Sequence, residues 1–260
     1  EIPSNLFADI SGAPATYMFS ETFNNCNGLT GSIPSGLFAG INGDPISNMF
    51  ERTFSGCSGL TGEIPAALFA GVSGTPAYAM FSGTFNNCSG LTGIQSGLFD
   101  GVNGQPVGNM FHSTFAGCRG LTGSIPAGLF AGISGQPQDN MFNSTFDNCS
   151  GLTGLIPTGL FGEFSGDPAY GMFYKTFAGC TNIAGAEEGI WNLYNVRNIN
   201  AENMFYHTFY ENTNFATATP TVAAGSTSRL WEHFTRYTGQ YAFGFDRKLL
   251  DYEDIPFNWR

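Results

Sequence analysis

The residues of this sequence able to do chemistry are six cysteines, three histidines and a few clustered carboxylates. Cys26, Cys57, Cys88, Cys118, Cys149 and Cys180 recur at intervals of 30 or 31 residues. A zinc site needs ligands a few residues apart, and only His112 lies near a cysteine, Cys118. An even number of cysteines in a secreted chain suggests disulfides. Here all six fill the same place in successive units, which instead suggests a structural ladder of buried, reduced thiols packing as small hydrophobes. His112, His207 and His233 have no partner at triad or ligand spacing. Carboxylates cluster at Asp246, Asp251, Glu253 and Asp254 near the end and at Glu187-Glu188; the group Asp251, Glu253 and Asp254 is open to three readings: a glycosidase pair, a Ca²⁺ site, or a solvated acidic face on an end cap. The solvated face is the expectation. Nucleophile-elbow, zincin, phosphate-loop and dinucleotide fingerprints are missing. The sequence therefore points to no catalytic residue, no metal and no cofactor.

Binding chemistry has two candidates. Trp191, Tyr194, Trp231, Tyr237, Tyr241 and Trp259 gather in the C-terminal third. They could form an aromatic platform for sugars, or equally pack the end of a core. A column of Thr30, Thr61, Thr92, Thr122 and Thr153 should face outward and could bind a repetitive partner such as glycan or ice. The β-propensity of Thr explains that column as well. A second column, from Thr22 and Thr53 to Thr208, is expected to be structural, each hydroxyl bonding a backbone carbonyl.

These residues are positioned by an internal repeat. Met-Phe pairs begin at Met18, Met49, Met80, Met110, Met141, Met172 and Met204, in steps of 31, 31, 30, 31, 31 and 32 residues. The unit reads M-F-x-x-T-F-x-x-C-x-G-L-T-G-x-I-P-x-G-L-F-x-G-x-x-G-x-P, and the short step reflects one residue missing between Gly93 and Ile94. Twenty of the 26 Phe fall in three columns of this unit, so the aromatic surplus is structural. Alternation over Leu-Thr-Gly-x-Ile-Pro predicts a short strand. Apolar spacing of three and four over Met-Phe-x-x-Thr-Phe-x-x-Cys predicts one or two helical turns, α or 3₁₀. Such a unit cannot bury its own apolar face, so neighbours must stack, their strands forming a parallel sheet at ~4.8 Å spacing. The expected fold class is a repeat solenoid, with parallel strands on one side and helical or 3₁₀ turns and loops on the other. Residues 1–215 form about seven 31-residue repeats, and 216–260 an atypical C-terminal cap.

The unit resembles a leucine-rich repeat, specifically the BspA-like (Treponema pallidum type) class with its A-F-x-x-C-x-x-L-x-x-I-x-I-P pattern. Thr22-Phe23-x-x-Cys26-x-x-Leu29 followed by Ile33-Pro34 carries the likeness. Thr stands for the usual Ala, and a Gly/Pro segment lengthens the unit. Ala242-Phe243-x-x-Asp246-x-x-Leu249 and Ile255-Pro256 repeat the pattern near the end. The resemblance implies a general scaffold for surface adhesion and binding.

A net charge of −11 disfavours nucleic acid and anionic membrane surfaces, and no apolar run suffices for a membrane span. Few charges and many small polar residues suit a secreted or cell-surface protein. The expected function is thus non-enzymatic: an adhesive or recognition solenoid with a protein or glycan ligand. One alternative is a phage or surface receptor-binding module. Another is a subunit stacking end to end with copies of itself into a filament. Glu1-Ile2-Pro3 aligns with Ser32-Ile33-Pro34, so the sequence opens within a unit, and Ile2, Leu6, Phe7, Phe19 and Phe23 would form a bare stacking face.

Overall fold

The structure is a computed structural model, and it describes residues 1–191, 193, 195–196, 201–223, 225–234, 238–244 and 248–260. Each unit is joined to the next along three backbone seams. The first is the Leu-Thr-Gly segment. There β1 (Gly62–Ile64) pairs in parallel with β2 (Leu91–Ile94). Further along the same seam, β3 (Leu155–Ile156) pairs with β5 (Gly185–Ala186). Single parallel bridges, Gly31 to Leu60 and Gly123 to Leu152, join other units there. The second seam runs through the Gly/Pro turn segment. Its bridges include Gly12 to Ile41 and Gly43 to Val72, and it ends in the pairing of β4 (Ser165–Gly166) with β6 (Asn195–Val196).

The strands are shorter than the alternation predicts. The glycine of Leu-Thr-Gly takes a left-handed backbone at Gly31, Gly62, Gly123 and Gly154, with φ between 75° and 81°. That conformation interrupts a strand. Gly93, beside the missing residue, has no such φ, and its strand β2 is the longest among the described residues.

The third seam replaces the expected helix. Over residues 15–26, N–H groups alternate between two destinations. Met18, Ser20, Thr22, Asn24 and Cys26 bond back three residues, while Phe19, Glu21, Phe23 and Asn25 bond carbonyls of the following unit. Every fourth residue, Tyr17, Glu21 and Asn25, is left-handed, with φ of 59°, 55° and 60°. The result is a run of type II-like β-turns. No α- or 3₁₀-helix accommodates a left-handed residue each turn, so the three-and-four apolar spacing here belongs to a chain of turns. Among the described residues of the repeats, helical geometry is limited to the 3₁₀ segment Ala66–Phe69.

Inside the seams the Phe columns stack. Phe50, Phe81 and Phe111 lie 5.7 Å apart with rings within 3° of parallel. Rings of the third column tilt against them, Phe50 to Phe69 at 4.5 Å and Phe81 to Phe99 at 4.7 Å. Both geometries are the preferred ones for aromatic pairs. Met, Leu, Ile and Cys columns fill the remaining space.

Two carbonyls per unit, each already accepting a turn N–H, also accept a second bond from the Thr and Cys columns. Thr53 Oγ1 donates to Phe19 O at 2.8 Å and Thr84 Oγ1 to Phe50 O at 2.9 Å. Cys57 Sγ donates to Phe23 O at 3.0 Å and Cys88 Sγ to Phe54 O at 2.9 Å. The pattern continues through Thr208 and Cys180. These bonds also pair the buried hydroxyls and thiols, which would otherwise lack an acceptor.

Asn212 breaks the Cys column. It is fully buried, and neither amide atom has a partner among the described residues. An unsatisfied buried polar group costs about 1–3 kcal/mol. Asn212→Cys should therefore raise the unfolding free energy by about 1–2 kcal/mol, read from urea denaturation at one temperature. A loss of stability would show that the amide is doing something a thiol cannot.

Candidate functional site

The cysteines are free thiols. Burial pushes Cys57 up to about 11 and Cys118 up to about 12. Each of these two acts as a hydrogen-bond donor in its protonated form. Cys26, in the first unit, is exposed.

Of the two readings of the Trp/Tyr cluster, core packing describes its tryptophans. Trp191 is fully buried and stacks on Phe161 at 5.4 Å and 8°, so it extends the third Phe column. Trp259 is buried against Phe205 and Phe243, and a Cβ on Gly239 would lie 2.1 Å from its ring. Trp231 is half-buried, edge-on to Phe243. Tyr194 and Tyr237 lie outside the described residues. Of the six, Tyr241 is exposed. Large apolar area draws the tryptophans into the core end.

The predicted stacking face is also largely covered. Phe19 and Phe23 are 2% and 9% exposed, Ile2 is buried, and Phe7 packs its ring 5.2 Å from Phe19. Leu6 alone of the five is exposed, at 44%. The outward threonines are exposed as expected, from Thr30 to Thr153.

Asp251 does not belong to a solvated acidic face. It accepts from Thr219 N at 2.9 Å and Thr219 Oγ1 at 2.6 Å and lies 3.4 Å from Arg229 Nε. This network joins Thr219, Arg229 and Asp251; residues 217–221 with Ser226, Thr227, Arg229, Glu187 and Glu188 wall a hydroxyl-rich cavity of about 410 Å³. Glu253, Asp254, Glu187 and Glu188 are exposed, and Asp246 lies outside the described residues. Among the described residues no group of three or more His, Cys, Asp or Glu is placed to hold a metal, and no helix is long and apolar enough to cross a membrane.

A column of rings lies on the turn seam. Tyr174 and Tyr206 occupy the same place in successive units and stack at 5.1 Å. His207 lies on Tyr206 at 4.0 Å and Tyr210 on His207 at 4.2 Å. Lys175 Nζ lies 5.6 Å from the Tyr174 ring centre. Tyr241 stands edge-on to Tyr206 at 6.2 Å, 40% exposed. Beside this column is a cleft of about 190 Å³ lined by Asp147, Asn148, Lys175, His207, Tyr210 and Glu211 over a floor of Ala178 and Gly179. From this group the sequence alone singles out Tyr241, within the Trp/Tyr cluster, and His207, as a histidine without a partner at ligand or triad spacing. The remaining signal was a run of aromatic residues at the outward phase of the last full units.

Two of the cleft's ionisable groups, His207 and Asp147, are perturbed. Burial, then Lys175, lowers His207 to about 4, so its ring is neutral at pH 7. Burial raises Asp147 above the ordinary carboxylate range, while Lys175 pulls it back. A histidine with a depressed folded pKa contributes stability that is present above the unfolded value near 6.5 and lost as pH falls toward about 4. His112, lowered by burial and Arg52, has the same sign. The urea midpoint should therefore fall between pH 7 and pH 5. Asp147 opposes this: its raised pKa removes stability as pH rises above 3.8. His207→Asn, which keeps a residue type at ease in the left-handed backbone (φ 56°), should flatten the fall. An unchanged slope would place the pH dependence elsewhere.

Compared with family models, with curated proteins and with solved structures, the chain matches none.

Proposed function

We propose that this chain is a non-enzymatic recognition protein acting outside the cell, a repeat solenoid that holds a glycan or protein partner on its lateral turn face. The seams that run from unit to unit support the solenoid reading, as does the resemblance to BspA-like repeats. One observation carries the functional reading: the column Tyr174, Tyr206, His207 and Tyr210, flanked by Tyr241, at the surface rather than in the core. Tyr supplies rigid, amphipathic contact area at low entropic cost, which is why it is enriched where proteins bind. The three Phe columns fill the core between the seams, and these four rings on one face are not part of it.

The test is a binding screen of the purified chain against immobilised glycans, matrix proteins and cell surfaces. Tyr206→Ala should weaken any binding at least ~10-fold, the scale of a hot-spot aromatic, with little change in the unfolding midpoint. A chain that binds none of these targets sinks the reading.

A further inference from the structure

We propose that the cleft beside the ring column is a subsite for one residue of a neutral, linear glycan; this rests on the recognition reading above.

The cleft has a structural origin in the pair of residues before each cysteine. These read Asn24-Asn25, Ser55-Gly56, Asn86-Asn87, Ala116-Gly117, Asp147-Asn148 and Ala178-Gly179, large and small in alternation. The second position is left-handed in each, which Asn and Gly tolerate best. Packing explains why they alternate. A Cβ on Gly56, Gly117 or Gly179 would lie 2.6, 2.2 or 2.7 Å from the side-chain oxygen of Asn25, Asn87 or Asn148 in the unit before. One unit's amide occupies the next unit's side-chain space, so every second unit is recessed. Recesses of this kind repeat at ~9.6 Å, twice the ~4.8 Å spacing of hydrogen-bonded strands. At Ala178-Gly179 the recess is deepened by taller walls, Asp147 on one side and Tyr210 and Glu211 on the other.

The size and lining of the cleft narrow the ligand. A volume of about 190 Å³ is below the ~300–1,000 Å³ of drug-sized pockets, so it takes a single small ring or side chain. Asp147 and Glu211 offer acceptors and Lys175 offers donors. The neutral imidazole of His207 offers one of each. Asn148 Nδ2 donates to Asp147 Oδ1 at 3.0 Å, which orients that carboxylate. Donors and acceptors side by side suit vicinal hydroxyls, each of which gives and takes a hydrogen bond. Two carboxylates against one ammonium disfavour an anionic ligand. Tyr241, its ring centre 5.9 Å from that of His207, offers apolar surface for the C–H face of a sugar. A linear glycan lying along the turn face would pass the shallower recesses at Gly117 and Gly56 in turn.

The test is calorimetric titration of the full chain with neutral gluco-, manno- and N-acetylglucosamine oligosaccharides of one to about six residues, long enough to reach a second recess at the ~9.6 Å spacing. Binding should tighten with length for at least one series. Asp147→Asn and Glu211→Gln, both close in shape to the native residues, should each weaken it by tenfold or more; Glu211→Gln should leave the unfolding midpoint where it is, and Asp147→Asn should not lower it. Glu211 is exposed, so Glu211→Gln remains informative if Asp147→Asn proves unstable. Unchanged affinity in the folded variants overturns the subsite. Absence of binding to every oligosaccharide also overturns it. If a protein target still binds and is lost in Tyr206→Ala, the recognition reading survives that failure; if nothing binds, both fall.

Discussion

Gly120→Ala should lower the stability of this chain by about 3 kcal/mol, at the upper end of the usual cost of overpacking, whereas Gly28→Ala should be nearly silent. The two glycines hold the same place, between Cys and Leu, in different units. At Gly120 a Cβ would sit 2.2 Å from the carbonyl oxygen of Ser89 and 2.7 Å from that of Leu91, both in the preceding unit. The obstacle is backbone, held in the seam by its own hydrogen bonds, so it cannot rotate away as a side chain could. Gly59, Gly90 and Gly151 meet the preceding unit's carbonyls in the same way, at 2.4 Å in each case. At Gly28 a Cβ meets nothing within 4 Å. A chain of this size loses roughly 2–4 °C of melting temperature per kcal/mol, so thermal melts of the two variants should separate by roughly 10 °C. Equal melts would mean that the units do not approach one another as closely as the seams require.

That contrast also marks what was legible in the sequence. The columns of Phe, Met, Leu and Cys could be read, because an identical residue at an identical phase in every unit has an identical environment, and the densest apolar columns are the core. The inner threonines were legible as carbonyl partners for the same reason. The conformation of the turn seam was not. Apolar spacing of three and four fits a helix and a run of β-turns alike, and hydrophobicity cannot separate them. The alternating Asn and Gly at positions 25, 56, 87, 117, 148 and 179 could have done so, since both residues favour a left-handed backbone that a helix excludes. The strand prediction missed for a related reason, the left-handed glycine within Leu-Thr-Gly. The aromatic site was misplaced because residue type was weighed without phase. Trp191 is in phase with Phe161 and belongs to the core, whereas Tyr174, Tyr206 and Tyr210 fall on outward phases.

Phe111→Ala tests whether the ring columns are the main source of cohesion between units, and it should cost about 3–5 kcal/mol, the range for deleting a buried aromatic ring. Phe111 is fully buried. It stacks on Phe81 at 5.7 Å and Phe142 at 5.6 Å, and tilts against Phe99 at 4.9 Å and Phe130 at 4.6 Å. Its removal therefore opens a cavity touching the units on both sides, and the rigid seams around it limit collapse into the space. Phe7→Ala is the matched control, because Phe7 is half-buried and its ring contacts, Phe19, Phe23 and Phe38, lie on the inner side only. Its cost should be about 1–2 kcal/mol, consistent with a ring that keeps part of its area in water. The shape of the urea transition carries further information. Where each unit contacts only its neighbours, a central lesion uncouples the two halves. The Phe111→Ala transition should then broaden, with a lower apparent slope than the parent chain. Phe7→Ala should shift the midpoint and leave the slope alone. A sharp transition for Phe111→Ala with a loss below about 1 kcal/mol, far under the expected range for a buried ring, would mean that the backbone seams rather than the ring columns hold the units together.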